Sequence, residues 1–190
     1  ASTIPIKSIA DMSKNKFRIA EAAVNQLTYK QWGVNPVPMP WPDVPVALKQ
    51  GVITALDHTD LVCDLTKKFE VAKYFTEINY AKGLFIWIFN KAWVESLPAD
   101  LRQTFIDTVH DVSAEYRRQG AQQEEEIKQK IVKEGIQVFQ LPESEMATLR
   151  QKGTAVHDQY AAEINKLYPG DTYRPANFLK EVQDFLGYKR

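Results

Sequence analysis

Between residues 34 and 56 the spacing of apolar and polar positions changes twice, and each change predicts a different element. Prolines first alternate with apolar residues, which favours a short edge strand because proline fixes φ and lacks an N–H group. Trp41 ends this run, and apolar residues from 44 to 48 then recur at helical spacing up to Gly51, a residue suited to a left-handed helix end. The apolar run from 52 to 56 predicts a buried strand.

A polar corner follows the second of these strands, in the order Asp57, His58, Thr59 and Asp60. Open α/β sheets bind ligands at the carboxyl ends of their strands, so we expect binding or chemistry at Trp41 and at this corner. Asp57, His58 and Asp60 suit three interpretations: the acid and base of a hydrolase or lyase-type enzyme, part of a metal site, or a solvated loop. No nucleophile motif accompanies them, and neither an HxxxH spacing nor paired cysteines support a metal site.

Arg18 lies between Phe17 and Ile19, and strand alternation puts its side chain on the face opposite its two apolar neighbours. A guanidinium can bind a carboxylate with two parallel N–H groups and keeps its charge at physiological pH. The spacing alone equally suits a surface arginine on an edge strand.

Two further patterns concern the middle of the chain. Residues 84–89 are apolar on both faces, which predicts a strand in the middle of a sheet. Residues 99–134 contain no proline, and at about 1.5 Å per residue one helix of this length would reach roughly 54 Å. Its two apolar stripes, at 101–116 and 127–132, flank a polar interval, which suits a helix resting on two lobes. We expect buried ends and a solvated middle.

Composition excludes several classes of function. The chain has 190 residues, with 24 basic and 24 acidic side chains, so no excess charge points to nucleic acid or an anionic membrane. One cysteine, Cys63, excludes an internal disulfide. No apolar run approaches the roughly 18 to 20 residues of a membrane span, and we expect a soluble, processed or trimmed chain without a cofactor.

Four landmarks in order resemble the solute receptors of TRAP transporters, the DctP family of tripartite, ATP-independent periplasmic uptake systems. They are KFRI at 16–19, NPVPMPW through ALKQGVITALD at 35–57, GLFIWIFNKAWVESLP at 83–98, and the very long helix. The resemblance implies an α/β fold: a type II periplasmic-binding-protein-like lobe, with a mixed sheet flanked by helices and a long lobe-spanning helix. The N-terminal lobe would be largely absent.

The resemblance also implies a division of the chain. Residues 1–82 would form the second lobe, 83–120 a first-lobe strand and the start of the long helix, and 121–190 a return to the second lobe. The strand at 84–89 would then lack its family neighbours. We expect a partner to cover it, through dimerisation or swapped pairing, because an unpaired strand edge is a template for another chain.

The implied function is that of a periplasmic receptor without catalysis, which binds a small organic acid between two lobes and delivers it to TRAP membrane subunits. It would meet the membrane only through the transporter. In the family pattern Arg18 grips the ligand's carboxylate, Trp41 covers it, and Asp57 and His58 read the rest. Thr54 and His58 replace the family's aspartate and its asparagine or tryptophan, so the identity of the acid stays open.

Asp57 and His58 leave further alternatives open. Beside a carboxylate ligand Asp57 would be repulsive unless it were protonated, turned toward a ligand amine, or bridged to the ligand by a cation; that cation is the only metal this pattern suggests. His58 can act as a neutral donor or acceptor or, when protonated, add positive charge and make binding depend on pH.

Overall fold

A computed structural model describes residues 1–81, 83 and 86–167 of the chain. The elements alternate between short strands and helices up to residue 77, after which two long helices dominate. In chain order they are α1 (Ile9–Ser13), β1 (Phe17–Ile19), α2 (Ala23–Gln31), β2 (Pro36–Pro38), a 3-10 turn (Trp41–Asp43), α3 (Val44–Lys49), β3 (Ala55–Leu56), α4 (Asp60–Leu65), a 3-10 turn (Lys68–Glu70), β4 (Tyr74–Glu77), α5 (Lys91–Ser96), α6 (Ala99–Lys133), β5 (Gln137–Gln140) and α7 (Glu143–Leu167).

The strands form a mixed sheet around Ser2. Strands β2, β1 and β3 pair in parallel in that order, and β4 pairs in parallel with β5. Ser2 joins the two groups by antiparallel bridges to Ala55 and Tyr74. Because β1 lies between β2 and β3, Arg18 is opposite both Val37 and Leu56, and all three strands end at the same edge. The predicted mixed sheet flanked by helices is confirmed.

The unit predicted around Trp41 is present, with β2 as an edge strand. Gly51 has φ +69°, as its place at the helix end required. The strand β3 is shorter than the predicted apolar run, and the hydrogen bonds explain why. Val52 and Ile53 donate to the carbonyl of Ala47 and so complete the end of α3 instead of joining the sheet.

The core consists of two clusters. One joins α3, β3 and α4 to Ile127 and Ile131 of α6, and the other joins α1, β1 and α2 to Leu149 of α7. Among the described residues, no member of either cluster lies between 83 and 120. The two halves of α6 therefore have different surroundings: only its C-terminal half enters the core.

The predicted strand at 84–89 is wrong for the part that the structure describes. Residues 86–89 belong to no strand, and Ile86 and Ile88 are 76% and 81% exposed. A strand needs a neighbour for its backbone groups, and the described residues supply none here. Residues 84 and 85 lie outside the described residues.

The single long helix is confirmed, since α6 runs unbroken for 35 residues. The expectation of two buried ends is wrong for its first half. Leu101, Val112 and Tyr116 are exposed, as is Val132 in the second half. In this half the Phe105 ring contacts the rings of Phe89 and Trp93, with ring centroids 4.8 and 5.4 Å apart. Among the described helices, none combines the length and hydropathy that crossing a bilayer requires.

Candidate ligand-binding site

Arg18 occupies the middle strand of the three-stranded group and is 6% exposed. Its Nε and Nη2 atoms donate to the carbonyl of Met39, at 2.9 and 2.7 Å. This carbonyl lies just beyond β2, so the guanidinium is held at the carboxyl edge of the sheet. No carboxylate forms an ion pair with it among the described residues, and burial lowers the pKa of Arg18 from its ordinary value.

The Trp41 ring lies close to the basic side chains of the site. Its turn follows β2 directly, and its ring centroid lies 5.1 Å from the guanidinium carbon of Arg18. The imidazole of His58 is also 5.1 Å away, and the ammonium of Lys68 is 4.7 Å away. Cations close to an indole face are attracted by its quadrupole. The Trp41 indole therefore stabilises the charges of Arg18 and Lys68, and tryptophan does so better than phenylalanine or tyrosine would.

His58 is a neutral group in this arrangement. Its Nδ1 atom accepts a hydrogen bond of 3.0 Å from the backbone N–H of Thr59, which leaves the proton on Nε2. Burial lowers the pKa of His58 below its ordinary value of 6.5, and the charge of Arg18 acts in the same direction, while Asp57 opposes them. The imidazole thus offers an N–H donor rather than a positive charge.

Asp57 is tied to the sheet and to a second aromatic group. Its backbone N–H donates to the carbonyl of Arg18 at 3.3 Å, and its Oδ2 atom accepts a hydrogen bond of 2.6 Å from the phenol of Tyr80. Of the three states expected for Asp57, none included a protein donor. The phenol is held edge-on by Tyr29 and Trp32, with ring centroids at 6.1 and 5.0 Å.

The structure thus brings Arg18, Trp41, Asp57 and His58 together at one edge of the sheet. It adds Lys68 and Tyr80, which the sequence interpretation did not include. Nothing in the spacing of the sequence marks Lys68 as a residue of the site. Tyr80 is 23 positions away from Asp57 in the chain, and only the folded structure reveals their contact.

The enzyme alternative requires His58 to work with Asp57 or Asp60. Asp60 is 7% exposed, and its Oδ1 atom accepts from the backbone N–H of Leu61. Burial raises the pKa of Asp60, and among charged groups Lys128, Glu124 and Glu77 act on it. Within the described ranges, no group of three histidine, cysteine, aspartate or glutamate side chains could hold a metal ion. The described residues therefore give no evidence for the enzyme alternative, and no metal-binding group of three such side chains among them includes Asp57, His58 or Asp60.

Comparison with known proteins decides the family. A protein-family model described as bacterial extracellular solute-binding protein, family 7 (DctP), matches residues 1–163. The chain belongs to this family. The resemblance to TRAP solute receptors is confirmed, and the family is one of ligand-binding receptors rather than enzymes.

Three DctP-type proteins illustrate the similarity. The 2,3-diketo-L-gulonate-binding periplasmic protein YiaO of Escherichia coli is 25% identical over 183 residues, which cover 96% of this chain and 53% of YiaO. The C4-dicarboxylate-binding periplasmic protein DctP of Vibrio cholerae is 30% identical over 131 residues, or 69% of this chain and 40% of that protein. The solved ectoine-binding protein of the TeaABC TRAP transporter of Halomonas elongata matches with a TM-score of 0.79 at 19% identity, covering 94% of this chain and 56% of that one.

These matches confirm the fold class, a part of the type II periplasmic-binding-protein fold. The chain spans about half the length of YiaO and of the ectoine-binding protein. The division into lobes at residues 82 and 120 stays a prediction.

Proposed function

We propose that the protein containing this chain is a periplasmic solute receptor of a TRAP transporter, which binds a small organic carboxylate and delivers it to the membrane subunits. The observation that carries the proposal is the state of Arg18. Its guanidinium is buried at the carboxyl edge of the sheet beside Trp41, yet it pairs with a carbonyl and with no described carboxylate. A buried charge is costly unless it is paired, and a ligand anion would supply the partner.

Each nearby side chain has a role in this proposal. Arg18 holds the carboxylate through the N–H groups that Met39 does not occupy. Trp41 covers the ligand's apolar part, and the neutral imidazole of His58 donates from Nε2 to a hydroxyl or carbonyl oxygen. The Asp57 carboxylate accepts the hydrogen bond from Tyr80, which partly satisfies its negative charge beside the ligand. Residues 1–82 and 121–190 would form one lobe, and closure against the other lobe would signal to the transporter.

The family and the relatives support this proposal. By their names YiaO and the Vibrio cholerae protein bind 2,3-diketo-L-gulonate and C4-dicarboxylates, and both are periplasmic. The proposed ligand is therefore an organic acid of similar size, and the proposed location is the periplasm.

The proposal is tested with the full-length protein that contains this chain. We would measure its melting temperature with a panel of small carboxylates for the wild type, Arg18→Ala and Arg118→Ala. Arg118 is an exposed arginine of α6 paired with Glu115, and it serves as the matched control. We expect one carboxylate to stabilise the wild type and the control. The Arg18 variant should lose roughly 10- to 100-fold in affinity, since hydrogen bonds to charged groups contribute about 1.5–3 kcal/mol.

One outcome would contradict the role of Arg18, and another would contradict the receptor. Equal stabilisation of all three proteins would remove Arg18 from the site. Chemical conversion of the added carboxylate, monitored by NMR of that compound, would favour an enzyme.

We also propose that a second copy of the chain covers residues 84–89, by dimerisation or by swapped pairing. An apolar hollow of about 470 Å³ supports it, because contiguous exposed apolar surface marks interaction sites. Residues 86, 87, 89, 105, 106 and 109 contribute to its lining. Sedimentation velocity of this chain should show a dimer that Ile88→Lys shifts to monomer, while Val52→Lys, at a site 49% exposed, has no effect. A monomer at all concentrations would contradict this pairing.

A further inference from the structure

Tyr29 is a fully buried residue of α2 whose phenol has no role in the proposed site. Its exposed fraction is 0%, and its hydroxyl has no hydrogen-bond partner within the part of the chain that the structure describes. A buried donor without a partner gives up its bonds to water and gains nothing in return, so such a group calls for an explanation. Phenylalanine could fill the same core position without this cost.

The neighbours of this hydroxyl identify the acceptor available to it. The Tyr29 ring packs edge-on against the ring of Tyr80, with centroids 6.1 Å apart, and the Tyr80 phenol donates a hydrogen bond of 2.6 Å to Oδ2 of Asp57. Burial, the charge of Asp57 and the Tyr80 phenol raise the pKa of Tyr29, so its hydroxyl keeps its proton and remains a donor. Two phenols thus lie close to one carboxylate, and Tyr80 is the one bonded to it.

The two phenols differ in their access to water. Tyr80 is 38% exposed, whereas Tyr29 is not exposed at all. Water can therefore hydrate the Tyr80 phenol once it leaves Asp57, but water cannot reach the Tyr29 hydroxyl. If Asp57 accepts from Tyr29 instead of Tyr80, the carboxylate keeps one hydrogen bond and the unpartnered buried donor is removed. In hydrogen bonds, this exchanged arrangement is at least as favourable as the observed one.

The segment that carries Tyr80 is held at the sheet edge by side-chain contacts. Strand β4 ends at Glu77, and Asn79 has φ +44°, a left-handed conformation that turns the chain away from the strand direction. Tyr80 lies outside any strand and is fixed by its ring contacts with Tyr29 and Trp32 and by its bond to Asp57. Loss of that bond would therefore loosen this segment directly.

We infer that Tyr29 is a reserve partner of Asp57, a positioning residue that donates to this carboxylate whenever Tyr80 leaves it. The exchange lets the segment around Tyr80 move while the negative charge at the ligand edge stays bonded to a protein donor. Its importance for binding rests on the proposed function, because Tyr80 precedes the predicted lobe boundary at residue 82. The exchange itself needs no ligand.

The test is a double-mutant cycle on the ligand-free, full-length protein that contains this chain. We would measure the melting temperatures of the wild type, Tyr29→Phe, Tyr80→Phe and the double variant. With Tyr80 present, Tyr29→Phe removes an unpartnered buried hydroxyl, so the melting temperature should stay equal or rise. In the Tyr80→Phe background the same substitution removes the donor that has taken the place of Tyr80, and we expect a fall of roughly 2 °C or more. A phenol with a merely structural role would act alike in both backgrounds.

Two further variants complete the design. Tyr74→Phe is the matched control, because its ring stacks on Phe139 and its phenol has no hydrogen bond among the described residues. This control should have the same effect in both backgrounds. Repeating the cycle with Asp57→Ala removes the shared acceptor, so the effect of Tyr29→Phe should no longer depend on Tyr80.

Two results would overturn the inference. Equal effects of Tyr29→Phe with and without Tyr80 would show that Asp57 does not exchange between the two phenols. A dependence on Tyr80 that persists in Asp57→Ala would assign the coupling to direct contact between the two rings. The receptor proposal fails separately, through the absence of carboxylate binding, which leaves the outcome of this ligand-free cycle unchanged.

Discussion

Tyr80 donates a hydrogen bond of 2.6 Å from its phenol to Oδ2 of Asp57, across 23 positions of sequence. The contact joins the end of β3 to the segment that follows β4. Burial and the charge of Asp57 raise the pKa of Tyr80, so the phenol keeps its proton and remains a donor. The Asp57 carboxylate, whose charge acts on Arg18, is thereby partly satisfied by the protein itself.

We expect Tyr80→Phe to lower the free energy of unfolding by about 1–2 kcal/mol, at the low end for a hydrogen bond to a charged group because both residues are partly exposed. Ligand affinity should fall as well, since Asp57 would then offer its full negative charge to the anion or pair with Arg18. Denaturant titration and calorimetric titration measure the two effects. Tyr74→Phe is the control, because the structure shows no hydrogen bond from that phenol among the described residues. Equal effects of both substitutions would assign the change to packing.

Binding of an organic anion should strengthen as the pH falls. The pKa of His58 lies below 6.5 without ligand, and an anion placed beside it will raise that pKa. The complex then takes up a proton, and affinity rises as the pH drops from neutral into the range below 6.5, by up to about tenfold for each unit of pKa change. Calorimetry at pH 7.5 and 5.5 would show this slope in the wild type and a flatter one in His58→Gln. An unchanged slope in the variant would mean that another group takes up the proton. The charged side chains near the imidazole or near the Trp41 ring are those of Asp57, Arg18 and Lys68.

Asp60→Asn should raise the melting temperature at neutral pH. Burial raises the pKa of Asp60 above its ordinary value of 3.8, so the native state prefers the protonated form. That preference stabilises the fold below pH 3.8 and is lost as the pH rises through the native pKa. Asparagine removes this penalty and can keep the hydrogen bond that Leu61 donates.

The gain from Asp60→Asn should shrink as the pH is lowered toward 3.8, which a series of thermal melts would reveal. Asp64→Asn on the same helix gives the opposite sign, because it removes the 2.7 Å ion pair with Lys130. A melting temperature that falls in both variants would contradict the assignment for Asp60.

Ile131→Ala tests whether the C-terminal half of α6 belongs to the core. Ile131 is fully buried, and truncation of such a side chain typically costs about 2–5 kcal/mol of unfolding free energy. Val132→Ala is the neighbouring control at a site 56% exposed, where about 0.5 kcal/mol or less is expected. Urea denaturation of both variants provides the comparison. Similar midpoints would mean that α6 does not stabilise this part of the fold.

Local patterns predicted much of this architecture. The proline alternation of β2, the left-handed Gly51 and the length of α6 all follow from short-range rules of backbone geometry. The same rules predicted a buried strand that includes residues 86–89, and this prediction was wrong. Hydrophobicity on both faces indicates that a segment needs cover, but not that a neighbouring strand is present.

The sequence by itself determined the family and the convergence of Arg18, Trp41, Asp57 and His58 on one edge, because these residues follow consecutive parallel strands. Only the tertiary structure decided which groups share hydrogen bonds and charge there. Lys68 beneath Trp41 and Tyr80 on Asp57 depend on how α4 and β4 pack beside that edge. Contacts of this kind join residues far apart in the chain, and no periodicity in the sequence records the distance between them.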